Sequence, residues 1–264
     1  MSWLRNSALL ATSLIIVLTI PATSQQELSL DQILERAYQR QTAGQEQIKD
    51  YVCQATFVMR EAQKDGTAKT IFIEDKMVYF KSPDKEREIY HAITKEGKVL
   101  SPEEVAEHQR KADEQAAKKT EKEDDKSASF SFSAKSPWSP EERQNYNFEL
   151  LPPDTIRGIP THVVRVKPKR RSKHLIDGKA WLHQGLFEVI KMDFQPAKKP
   201  KFVKKAHMIM DFDEVQPEVW LPVEMKIDAR GGFLFFKKSF QMHQTWRDYQ
   251  INVGLPDSLF CGRG

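Results

Sequence analysis

Lysines and arginines gathered at two points give the strongest chemical signal in this 264-residue sequence. Between Pro160 and His207 there are 13 Lys/Arg against Asp177, Glu188 and Asp193, a local charge of +10. Lys169, Arg170, Arg171 and Lys173 form one cluster; Lys198, Lys199, Lys201, Lys204 and Lys205 form the other. Such patches bind polyanions by releasing counterions, and equally serve as solvated gatekeepers on strand edges. A second set is apolar and polarisable. Phe57, Phe72, Tyr79, Trp181, Phe194, Met208, Met210, Phe212, Phe236, Phe240, Met242 and Trp246 fall in β-like stretches, where they either line a cavity for an irregular apolar ligand or fill an ordinary core. Cys53 and Cys261 can pair in an oxidising compartment, pinning the tail to the first strand, or stand as a small buried hydrophobe and a loose thiol. The histidines at 91, 108, 162, 174, 183, 207 and 243 show no HxxxH or HExxH spacing, and there is no Gly-x-Ser-x-Gly elbow or P-loop. The expectation is therefore no metal, no cofactor and no catalysis.

The elements that must position these residues begin after an address. Arg5 precedes the apolar run from Ala8 to Ile20, and Ala22 and Ser24 fit a signal peptidase site. Residues 1–24 are read as a signal peptide cleaved before Gln25, since 13 apolar residues are fewer than the about 20 that span a bilayer. From Leu28 to Ile48, Ser29 is placed to cap an amphipathic helix with Ile33, Leu34, Ala37 and Tyr38 on one face. The period then changes to two. Tyr51, Cys53, Ala55, Phe57 and Met59 share a face, and further strands are read at 70–81, 86–93, 161–167, 174–183, 186–195, 207–215, 219–230 and 233–249. Short turns between them predict an antiparallel meander with one dry face. Residues 101–140 differ in kind: nine acids and six Lys/Arg lie between Ser101 and Ser127 with almost no large apolar residue, which reads as a solvated helix fraying into a flexible insertion. The net charge of +4 is thus an average of opposites.

The fold class expected is mainly β: a strongly curved antiparallel sheet, an incomplete barrel, covered by one or more helices. The segments Ile156-Arg157-Gly158-Ile159-Pro160, Gly178-Lys-Ala-Trp-Leu182, Glu188-Val-Ile-Lys191 and Val219-Trp-Leu-Pro-Val223 in an exported meander resemble the LolA/LolB-like outer-membrane lipoprotein-sorting superfamily. The resemblance covers roughly Leu28 to Tyr249 outside the insertion. It implies a single half-barrel domain over 25–264, with a hydrophobic cavity for acyl chains and no catalytic residues.

Two functions are carried forward. One is a periplasmic binding protein that holds a lipid or acylated protein and meets anionic membrane surfaces through its basic hairpins. The other is an envelope structural or signalling module that docks a protein partner through charged surfaces. Export argues against nucleic acid as the partner of the basic clusters.

Overall fold

The computed structural model describes residues 28–121, 136–199, 201–233 and 236–260. The chain forms one 11-stranded antiparallel sheet in the order β4-β3-β2-β1-β11-β10-β9-β8-β7-β6-β5. The first helix, α1 (Leu30–Gln47), starts where Ser29 accepts the Gln32 N–H while the Gln32 side chain accepts the Ser29 N–H, a reciprocal cap that satisfies two backbone donors. Strands β1 (Asp50–Ala62), β2 (Ala68–Lys81), β3 (Lys85–Lys95) and the short β4 (Lys98–Val99) follow. After two helices, α2 (Pro102–Glu121) and α3 (Pro140–Arg143), come β5 (Tyr146–Ile156), β6 (Ile159–Pro168), β7 (Ile176–His183), β8 (Val189–Pro196), β9 (Val203–Gln216), β10 (Val219–Phe233) and β11 (Phe236–Ile251).

Because β1 pairs with β11, the first and last strands meet in mid-sheet and the open edges are β4 and β5. The charged segment after β4 is thus the link that carries the chain from one open edge to the other. Its helix is not merely solvated, as the composition suggested. Gln109 of α2 accepts the Tyr90 N–H at 3.0 Å and donates to the Glu88 carbonyl at 2.9 Å, the two bonds a neighbouring strand would make, so α2 covers an edge that would otherwise invite pairing. His108 reaches Glu74 at 3.0 Å, and Lys76 reaches Glu88 at 2.6 Å. The expected insertion also contributes to the core at its far end, where Trp138 is 1% exposed. The other edge, β5, carries Pro152 and Pro153, which lack the donors an added strand would need.

One face of the sheet is dry. Ile33, Leu34 and Ala37 of α1 pack with Trp138 on Val164, Val166, Ala180, Leu182, Met192, Phe194, Met208, Met210 and Ile227. A smaller cluster surrounds Cys53, Ala55 and Val78, with Tyr51, Trp246 and Tyr249 against it. Gly178 shows how tightly β7 and β8 are drawn together: a Cβ there would lie 2.2 Å from the Asp193 carbonyl oxygen and 2.5 Å from the Phe194 Cβ.

Hydrogen bonds and ion pairs pin the tail. Asp50, 4% exposed, accepts the N–H groups of Gly254 and Leu255, and Asp257 pairs with Lys81 and Lys85. Cys53 is a free, fully buried thiol. Its sulfur, wedged among Ala55, Val78 and Trp246, packs as a small hydrophobe, one of the two alternatives the sequence leaves open; Cys261, on which the other depends, lies outside the described residues, as does the expected signal peptide. No helix among the described residues is long and apolar enough to cross a membrane.

Candidate functional site

The inward stripe of α1 changes character halfway along. Ile33, Leu34 and Ala37 are followed on the same face, at helical spacing, by Gln41, Gly44 and Ile48. Large apolar side chains give way to a small residue and a polar one, so the second half of the helix cannot fill the space above the sheet. A cavity of about 270 Å³ lies there. Ala37, Gly44 and Ile48 form its roof, Trp138 and Tyr146 one wall, and Phe187, Val189, Met192, Phe212 and the stretch Val219–Pro222 its floor and far side. A Cβ added to Gly44 would meet nothing within 4 Å. The volume stands near the lower limit of small-molecule sites, roughly 300–1,000 Å³, and the lining is mainly apolar.

Polar groups gather on the helix side. Arg40 Nε bonds Glu188 at 2.6 Å and its Nη2 donates to the Glu218 carbonyl at 2.9 Å; the paired side chains are 22% and 11% exposed. Burial holds the Glu188 carboxyl above the usual carboxylate range, with Arg40 opposing that shift. Trp138 Nε1 donates to Gln41 at 3.1 Å. Together these bonds clamp α1 and the Trp138 segment over the sheet. Beside the cavity, His162 stacks on Phe187 with 6.0 Å between centroids, and Arg36 stands 5.1 Å from the centre of the Phe187 ring. Burial depresses the His162 pKa.

The apolar candidates separate into four groups. Phe212 lines the cavity. Phe194, Met208 and Met210 are at most 3% exposed and belong to the packed core beneath α1. Phe57, Phe72, Phe240, Met242 and Trp246 lie on the same face but farther along it, half-buried, with Phe57 and Phe72 edge to face at 6.4 Å. Tyr79 and Trp181 lie on the opposite face, which corrects their assignment to a cavity. Tyr79 is one residue out of phase with Val78 and pairs across from Val52; Trp181 falls between the core residues Ala180 and Leu182 and sends its Nε1 to Asp154 at 3.0 Å. The side chain of Phe236 lies outside the described residues. What sequence reasoning missed is the helix contribution, Arg40, Gln41 and Gly44, together with Trp138 and the Phe187–Val189 turn. The stripe of α1 held the signal, in the switch from leucine and isoleucine to glutamine and glycine.

Of the basic candidates, Lys169, Arg170, Arg171, Lys173, Lys198, Lys201, Lys204 and Lys205 are exposed and Lys199 is half-buried. Two further histidines serve local pairs: His207 bonds Asp193 at 2.7 Å and His243 bonds Glu224 at 2.6 Å.

Comparison with known proteins gives the following. A family model described as a family of unknown function, DUF5686, matches residues 15–249. No curated protein matches the sequence. Among solved structures, the chain is similar to a DUF1329 family protein from Desulfovibrio piger, at 12% identity over 87% of this chain and 96% of that one, with a TM-score of 0.40. A candidate outer membrane lipoprotein-sorting protein domain from Vibrio parahaemolyticus matches at 14% identity over 86% and 95% of the two chains, with a TM-score of 0.42. A LolA superfamily protein from Nitrosomonas europaea, of the superfamily the sequence resembles, matches at 14% identity over 88% and 97%, with a TM-score of 0.39.

Proposed function

The chain belongs to the DUF5686 family of unknown function, and for this member we propose a non-catalytic binding role: the cavity beneath α1 holds a single acyl or alkyl chain of a lipid or acylated protein in the cell envelope. The observation that carries this reading is the interrupted stripe of α1. A helix built only to close a core would continue its leucines and isoleucines through positions 41 and 44, whereas Gln41 and Gly44 leave about 270 Å³ above Phe187, Met192 and Phe212. Burying an apolar chain there gains about 0.8 kcal/mol per methylene. The Arg40–Glu188 pair ties α1 to the turn between β7 and β8 across the cavity, a polar clamp at its edge.

Titration of the purified protein with 1-aminoanthracene, followed by displacement with a long-chain fatty acid, tests the reading. Saturable, displaceable binding is expected. Absence of binding at any probe concentration overturns it, leaving a solid fold whose surfaces dock a protein partner.

A further inference from the structure

The antiparallel order of the strands sends the β6–β7 connection, the β8–β9 connection and the β10–β11 hairpin to the same rim of the sheet. These connections are tied to one another. Lys198 donates its N–H to the Ser172 carbonyl at 3.1 Å, Ala197 to Leu175 at 2.8 Å, and Gly232 to Phe202 at 3.1 Å. The two basic clusters are therefore one surface. Residues 168–175 and 197–205 supply nine Lys/Arg and no acid, and Arg230 stands opposite Lys205 in the ladder. The other rim is mixed, with Glu188, Glu214, Glu218 and Asp257 beside Arg157, Lys81 and Lys85.

A large aromatic stands out among these cations. Phe202 is 52% exposed, with the Lys201 ammonium 5.4 Å from its ring centre. Its backbone has φ of 71°, a left-handed conformation that a bulky residue rarely adopts. Its carbonyl is anchored at the Gly231–Gly232 step, where a Cβ on Gly231 would approach within 2.9 Å. The fold thus holds an aromatic residue in the open within the basic stretch of this rim, which farther along carries Lys64 and Asp65 at the β1–β2 turn and Glu96 at the β3–β4 turn.

We infer that this rim docks the protein on a bilayer containing anionic phospholipid, its cations at the headgroups and Phe202 at the interface. Lys and Arg beside an anionic leaflet combined with an exposed aromatic at headgroup depth is the pairing that bilayers select; a polyanion bound by charge alone has no use for an aromatic held out by a strained backbone. The inference does not depend on the cavity and stands or falls separately from it.

The test is co-sedimentation of the purified protein with phosphatidylcholine vesicles, with and without phosphatidylglycerol, at low and high salt. Binding is expected only with phosphatidylglycerol and is expected to weaken with salt. The variant Arg170→Gln/Arg171→Gln/Lys201→Gln should bind roughly 100-fold more weakly, at about fivefold per cation. Phe202→Ser should abolish the fraction that persists at high salt, with an unchanged melting temperature showing that the variants fold. Equal binding to both vesicles, or triple-variant affinity within about twofold of the original, overturns the inference. Retention on duplex DNA without binding to vesicles also overturns it.

Discussion

Substituting Gly44 with leucine should make the protein more stable and less able to bind. Gly44 lies inside α1, where glycine costs about 0.8–1.0 kcal/mol relative to a good helix former; it lines the cavity, and a Cβ there would meet nothing within 4 Å. Leucine removes that cost, and a side chain that enters the cavity would be buried among its apolar lining, which includes Phe187, Met192 and Phe212. With partial burial contributing about 1–2 kcal/mol, the gain is about 2–3 kcal/mol. For a domain of this size, 1 kcal/mol shifts the melting temperature by about 2–4 °C, so Gly44→Leu should melt about 4–12 °C higher by calorimetry. The same side chain occupies the space an acyl chain would take, so displaceable 1-aminoanthracene binding should fall at least about tenfold, equivalent to 1.4 kcal/mol. A lower melting temperature would mean that the roof of the cavity is already filled. A stabilised variant with undiminished binding would place the ligand elsewhere.

Three further outcomes follow from the packing. Burial pushes the Cys53 thiol up to about 12, with Glu86 and Glu88 adding to the shift and a hydrogen bond from Tyr249 opposing it; iodoacetamide at pH 8 should therefore alkylate the Cys53 peptide about a thousandfold more slowly in folded protein than in urea, and equal rates would refute the buried-thiol assignment. Gly178→Ala drives a methyl into the Asp193 backbone and Phe194, so it should cost about 3 kcal/mol or more and lower the melting temperature by at least about 6 °C; a neutral effect would mean that β7 and β8 are not so close. Burial favours the neutral imidazole of His162 in the folded state, so as pH falls below 6.5 the unfolded chain takes up the proton first and stability is lost. His162→Gln should flatten the fall in melting temperature between about pH 6.5 and 5, and an identical slope would contradict this.

Much of this architecture was legible because local signals agreed. Ser29 marked the start of α1, and alternating residues over the stretches that form β10 and β11 marked adjacent antiparallel strands with one dry face. Strand β5 is hard to read because Pro152-Pro153, followed by Asp154, imitate a loop, a disguise open to an edge strand, which needs only one ladder of bonds. Trp138 was hidden by its neighbours: composition averaged over a charged stretch conceals one side chain that crosses to the core. Residue type alone singles out Tyr79 and Trp181 for a cavity, whereas their phase against Val78 and Ala180 puts them on the outer face. The cavity was least legible of all, since an empty space is written as missing bulk at Gly44 and not as the presence of any residue. The basic rim, in contrast, was visible as two clusters, and the strand order joined them.

The central claim is that the space beneath α1 is a binding site for an apolar chain. Native mass spectrometry of the protein purified from the cells that make it is the decisive test. A bound species carrying an acyl or alkyl chain is expected, released on unfolding and absent from Gly44→Leu purified in the same way. Ligand-free protein that also takes up no added fatty acid would contradict it.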